Sequence, residues 1–162
     1  NRGEYAILCG EYPKLITAEA KMTERAGRGP IDCLPAAMRE AGFSTTYLQA
    51  APLAFMMKDQ FMAQAGFERV LGDEWFTTAT NRNHWGVDDR TFLDAGADLA
   101  GELNRASKPW FLTLLTVGTH HRYEADDREV FGSVRAVHLD RTGAHQLPGR
   151  IEQVCLHEVS VL

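Results

Sequence analysis

Lys108-Pro-Trp-Phe-Leu-Thr-Leu-Leu-Thr-Val-Gly-Thr-His-His-Arg-Tyr123 decides the fold. From Trp110 to Val117 it runs apolar and β-branched without a charge, then breaks on Gly118. A run of this length, bounded by turn residues, reads as a strand buried on both faces, the kind that parallel sheets contain. In open α/β sheets ligands lie beyond the carboxyl ends of such strands. His120 and His121 come just after the glycine, where chemistry is usually done.

Upstream, helical and strand patterns alternate. Asp88 predicts the cap of a helix to about Ala106, with Phe92, Leu99 and Leu103 on one face. Ser44 to Ala50 is β-branched and aromatic, a strand. A helix is expected from about Leu34 to Ala41, with Pro35 in its first turn and Gly42 as its stop. Phe55, Met56, Phe61, Met62 and Ala65 give helical spacing over 55–65, which closes on Gly66; Phe67 to Leu71 reads as a short strand and 72–86 as a loop. Asn1-Arg2-Gly3-Glu4 has the spacing of a capping box and predicts a short helix ending near Gly10. Residues 11–31 read as a loop marked by Gly27, Gly29 and Pro30. Helices alternating with strands imply crossover connections and a mainly parallel sheet. After Tyr123 no period is sustained; a helix near 127–139 and a strand at 151–156 are the readings there. The chain therefore divides into 1–123 and an atypical tail, 124–162.

At 162 residues the length is that of one domain, and a net charge of −5 argues against nucleic-acid binding, which wants a basic surface. No apolar run approaches the roughly 18 residues that span a bilayer, and the polar start has no signal-peptide character. Helix-start signals on the first residues, with no Met, predict a piece of a longer protein. Cys9, Cys33 and Cys155 match no zinc spacing. Each reads either as a buried small hydrophobe or, for Cys9 and Cys33, as a bridge that requires an oxidising compartment.

The histidine pair could bind an anion, ligate a metal or shuttle a proton, or simply satisfy loop hydrogen bonds. Arg2, at a helix N-terminus, either adds fixed positive charge to a natural anion site or marks a plain surface helix start. Lys58 and Asp59 read first as a solvated charged face. His84 and Trp85 lie in an unusual polar loop, where Trp85 is either a pocket wall or an anchor against the core. Met56, Met57 and Met62 read as core filler. There is no P-loop, GxGxxG, GxSxG or HExxH pattern, so nucleotide-cofactor, serine-hydrolase and zincin chemistry have no support.

Cys33-Leu-Pro-Ala-Ala-Met-Arg-Glu-Ala-Gly-Phe-Ser-Thr-Thr-Tyr47 resembles the "LP-x-x-L-x-x-A-G-Y-x-T" segment of the sulfatase superfamily. More narrowly it resembles the lipoteichoic acid synthase-like branch, which includes phosphoglycerol transferases. Lys58-Asp59, Gly66-Phe67 and Trp85-Gly86-Val87-Asp88-Asp89 follow in that branch's order. Phe111 to Tyr123 resembles its "T-x-x-T-H-H-P-Y" strand end, with Arg122 in place of the proline, and Arg2 to Gly10 resembles the helix that follows its nucleophile.

The resemblance covers residues 1–123 and implies an incomplete alkaline-phosphatase-like α/β sandwich with a mainly parallel central sheet. It implies a divalent metal, manganese or magnesium, and a threonine nucleophile that attacks a phosphodiester or sulfate ester through a covalent intermediate. That threonine would lie just before Asn1, the acidic metal ligand further upstream, and the Asp-His metal pair beyond the histidines, so no metal ligand is expected within the chain. What carries over is a substrate side: His120, His121, Lys58, Gln49 and Trp85, with Arg2 in support and Met56 where some relatives have an aromatic. The expected partner is an anionic ester, not a nucleic acid. The parent enzyme would work outside the cytoplasm, touching a membrane only through upstream segments, and this chain alone would be inactive. The alternatives are an anion-binding module that has lost catalysis and an unrelated α/β domain.

Overall fold

The computed structural model of the protein describes residues 2–11, 29, 31–118 and, as backbone only, 153–157. Its elements in chain order are α1 (Arg2–Cys9), α2 (Leu34–Glu40), β1 (Ser44–Gln49), α3 (Lys58–Gln64), β2 (Arg69–Leu71), β3 (Arg82–Asn83), β4 (Gly86–Val87), α4 (Asp89–Arg105), β5 (Trp110–Leu115) and β6 (Gln153–His157). Four strands form one sheet in the order β2-β1-β5-β6, and every pairing in it is parallel. The expected α/β architecture is present, and β6 falls on the strand anticipated at 151–156. The helix expected at 127–139 lies outside the described residues, as do the side chain of Arg2 and the histidines 120 and 121.

Strands β1 and β5 are buried on both faces, as the unbroken apolar run in β5 requires. Tyr47 and Phe111 point to one side, where they pack with Tyr5 and Leu8 of α1 and Phe61 and Met62 of α3. Leu48, Leu112 and Leu114 point to the other, against Phe92, Leu99 and Leu103 of α4. The period-2 alternation of the strands thus separates two cores, one on each face of the sheet. Gly66 joins α3 to the sheet at φ +108, and a Cβ there would overlap the backbone of Ala36 in α2, so only glycine fits.

Two expectations change in detail. The helix expected over 55–65 begins only at Lys58, after a 3-10 turn at Phe55–Met57. The loop at 72–86 contains a further 3-10 turn, Asp73–Trp75, and reaches into the antiparallel β3–β4 pair.

Cys9 at the end of α1 and Cys33 before α2 form a disulfide, which settles the two readings of these cysteines in favour of the bridge. It closes a loop with a sequence separation of 24. A loop of that length constrains the unfolded chain by roughly 3.5 kcal/mol in the chain-entropy treatment. Replacing both cysteines by serine is expected to lower the urea-unfolding free energy by about that amount, and an unchanged midpoint would show that the bridge constrains nothing.

Candidate active-site edge

The carboxyl end of β1 is tied to β5 by Ala50, whose N–H donates to the Leu115 carbonyl at 3.1 Å. Beyond it the chain folds back on itself. Phe55 N–H donates to Pro52 O (3.1 Å) and Lys58 N–H to Leu53 O (3.0 Å). Met56 (φ 63, ψ 22) and Met57 (φ 52, ψ 40) both occupy the left-handed region. For non-glycine residues this costs about 1–3 kcal/mol each, strain found most often at functional sites. The reversal turns Lys58 inward.

Lys58 is therefore 1% exposed, and the expectation of a solvated charged face is corrected for it, though not for the exposed Asp59. Its ammonium forms an ion pair with Glu4 Oε2 and donates to the Tyr47 hydroxyl at 3.2 Å. Glu4 lies in the first turn of α1. Its side chain faces the core at 1% exposure. The Tyr47 hydroxyl shares its one proton between Glu4 Oε1 (2.7 Å) and Gln49 Oε1 (2.8 Å). Burial first, then the Glu4 charge and hydrogen bond, push the Tyr47 hydroxyl well above its ordinary range, so it stays protonated. Gln49 spends both amide N–H groups on the carbonyls of Ala51 (3.0 Å) and Pro52 (2.9 Å), bracing the start of the turn.

The end of β5 is fixed by an acid that the sequence did not single out. Asp88 caps α4 as expected, accepting from Thr91 N–H at 3.1 Å. The adjacent Asp89 is buried, and its Oδ1 accepts from the N–H groups of Val117 (3.0 Å) and Gly118 (2.9 Å). It clamps the segment that leads directly to His120 and His121. Burial raises the Asp89 carboxyl above its ordinary value of 3.8; the two N–H bonds oppose the shift and the Asp88 charge adds to it.

Trp85 reaches the same edge by a different route. Its N–H and that of Gly86 donate to Asn83 Oδ1 at 2.8 and 3.1 Å, and Val87 N–H donates to Ala50 O at 3.0 Å. Gly86 crosses so close to Ala50 that a side chain would overlap its carbonyl. The Trp85 ring meets Phe55 edge-on at 6.4 Å and is half-buried, with His84 against its other side.

Lys58, Gln49 and Trp85 thus gather around the carboxyl end of β1, joined by Glu4 and Tyr47, which sequence reasoning missed. The only sign of Glu4's role was its place in the first helical turn, and there the capping pattern masked it. Among the described residues no group of three or more His, Cys, Asp or Glu side chains could hold a metal ion. The described donors do not make a metal site.

In open α/β sheets an edge of this kind is where ligands bind. The sulfatase family model matches residues 1–140, and the chain belongs to that family. It is 36% identical over 93 residues to phosphoglycerol transferase I of Escherichia coli (strain 55989 / EAEC), a match covering 55% of this chain and 12% of that protein. The same protein from Citrobacter koseri matches equally, so the chain spans about an eighth of the length of these relatives. The fold is similar to that of the lipoteichoic acid synthase LtaP from Listeria monocytogenes, with TM-score 0.68, 14% identity, 78% of this chain and 30% of that one covered. An alkaline phosphatase superfamily protein from Vibrio parahaemolyticus gives TM-score 0.66 at 20% identity, covering 77% of this chain and 30% of the other.

The Asp89 clamp generates a prediction. Because the folded state holds the Asp89 proton more tightly than the unfolded chain, its contribution to stability is full below pH 3.8 and is lost as pH rises through the raised folded value. Asp89→Asn keeps an acceptor for both N–H groups and is expected to abolish that fall in urea-unfolding free energy. Asp89→Ala leaves two buried donors unpaired and is expected to cost roughly 3 kcal/mol. An Asn variant with the original pH slope would assign the titration to another group.

Proposed function

We propose that this chain is the substrate side of a metal-dependent enzyme of the lipoteichoic acid synthase-like branch, one that cleaves or transfers a phosphodiester of the phosphoglycerol type. One observation supports it above all: Glu4, in the first turn of α1, is bonded to Lys58 just beyond the carboxyl end of β1. The helix start, the end of β1 and, through in-register pairing, the end of β5 therefore share one sheet edge. In this reading a threonine immediately before Asn1 attacks the ester phosphorus, its oxygen bonding as the leaving alcohol departs and takes up a proton. An acceptor hydroxyl or water then resolves the covalent ester and frees the threonine.

In this reading Arg2, His120 and His121 bind the anionic ester, and the buried Lys58 adds positive charge to the field around it. Trp85 forms the wall on the β1 side, and the buried Gln49 braces the turn beside it. The superfamily's metal, manganese or magnesium, would be held by segments flanking this chain, which alone is inactive. A sulfate ester has the same tetrahedral anionic shape, and assays on both esters separate the two substrates.

The Cys9–Cys33 bridge supports an extracytoplasmic location, since disulfides persist in oxidising compartments. No helix among the described residues is long and apolar enough to cross a membrane.

Calorimetry with manganese is the first test. The parent protein, extended at both ends, is expected to bind it and to hydrolyse an aryl phosphodiester, whereas residues 1–162 alone do neither. Tight binding by the isolated chain would overturn the split site. An extended protein that binds anionic esters without turning them over would favour a module that has lost catalysis.

A further inference from the structure

The Glu4–Lys58 pair crosses between two parts of the chain that the proposed reaction must keep together. Glu4 belongs to the helix that starts behind the expected nucleophile; Lys58 follows the strained reversal at Met56 and Met57 and lies buried at the carboxyl end of β1. Both side chains are all but inaccessible, at 1% and 2% exposure. A buried pair of this kind is a weak source of stability, because well-packed apolar residues of similar volume do as well or better. A carboxylate does what an apolar side chain cannot: it fixes where the ammonium sits and which way its protons point. The ammonium has three N–H groups, and Glu4 and Tyr47 take two of them, which fixes its position in the buried pair.

We propose that Glu4 is a positioning residue that acts through Lys58, locking the first turn of α1 to the sheet edge so that the nucleophile and the cationic wall keep one separation. The proposal rests on the function proposed above, in which the nucleophile precedes Asn1 and Lys58 lends its charge to the ester site. Tyr47 completes the lock: its hydroxyl bridges Glu4, Lys58 and Gln49, and so links the helix, the turn and the strand at one oxygen. Burial and the Glu4 charge keep that hydroxyl protonated and donating.

The test is a double-mutant cycle on turnover. Bis(4-nitrophenyl) phosphate hydrolysis with manganese is measured for the parent protein, for Glu4→Gln, for Lys58→Met and for the two combined. Glu4→Gln is expected to lower kcat about tenfold or more with a smaller change in KM, the signature of lost alignment. In the Lys58→Met background the same change is expected to add less than about a twofold loss, because its effect passes through the missing ammonium.

Losses that multiply would show that Glu4 does not act through Lys58, and a Glu4→Gln loss carried by KM or by melting temperature with kcat unchanged would mark a merely structural pair; either result overturns the proposal. So does a Glu4→Gln enzyme within about twofold of the parent in kcat. Should Glu4→Gln fail to fold by circular dichroism, Tyr47→Phe decides: the proposal requires its kcat loss to vanish in the Lys58→Met background. No turnover by the unsubstituted parent overturns the functional reading and the role of Glu4 with it. Turnover by the parent with multiplying losses overturns the role alone.

Discussion

The parallel pairing of β1 with β5 is the constraint on which everything else hangs. Six successive pairs, from Ser44 with Trp110 to Gln49 with Leu115, align the two strands so that their carboxyl ends finish level. Parallel strands cannot be joined by a tight turn, so the chain between them must travel away and return. That excursion holds α3, β2, the β3–β4 pair and α4. It covers both faces of the sheet and brings the loop of Trp85 across the end of β1. The site edge is a product of this pairing, since neither strand alone presents more than half of it.

Much of this architecture is legible in the sequence because it rests on periodicity. Phe92, Leu99 and Leu103 mark the buried stripe of α4, and all three lie in one core. Asp88 announces its helix and caps it. The run from Trp110 to Val117 names the central strand without ambiguity. The boundaries shift where left-handed residues intervene: no pattern of apolar spacing announces that Met56 and Met57 will adopt positive φ, because neither is a residue type that favours it.

The site was legible only in part, for a related reason. Gln49, Lys58 and Trp85 are picked out by their place in family-like blocks, and the fold does assemble them. Glu4 and Asp89 escaped because each sits in the first turn of a helix, where an acid is expected for local reasons. Local preference and tertiary use coincide there, so the sequence carries no surplus signal. Glu4 faces the core because Lys58 and Tyr47, 54 and 43 residues away along the chain, supply the partners that make a buried carboxylate tolerable. Such long-range compensation is invisible to any window of neighbours. Lys58 shows the converse, since a lysine beside an aspartate reads as surface until the backbone turns it inward.

The bridge between Cys9 and Cys33 joins the two sides of a covalent ring that contains every residue from Gly10 to Asp32. A protease that cut one peptide bond anywhere in that ring would divide the backbone without releasing α1. The helix, with Tyr5 and Leu8 still in the core and Glu4 still bonded to Lys58, would remain attached through sulfur. The sheet edge would then survive as a two-chain species that comes apart only on reduction.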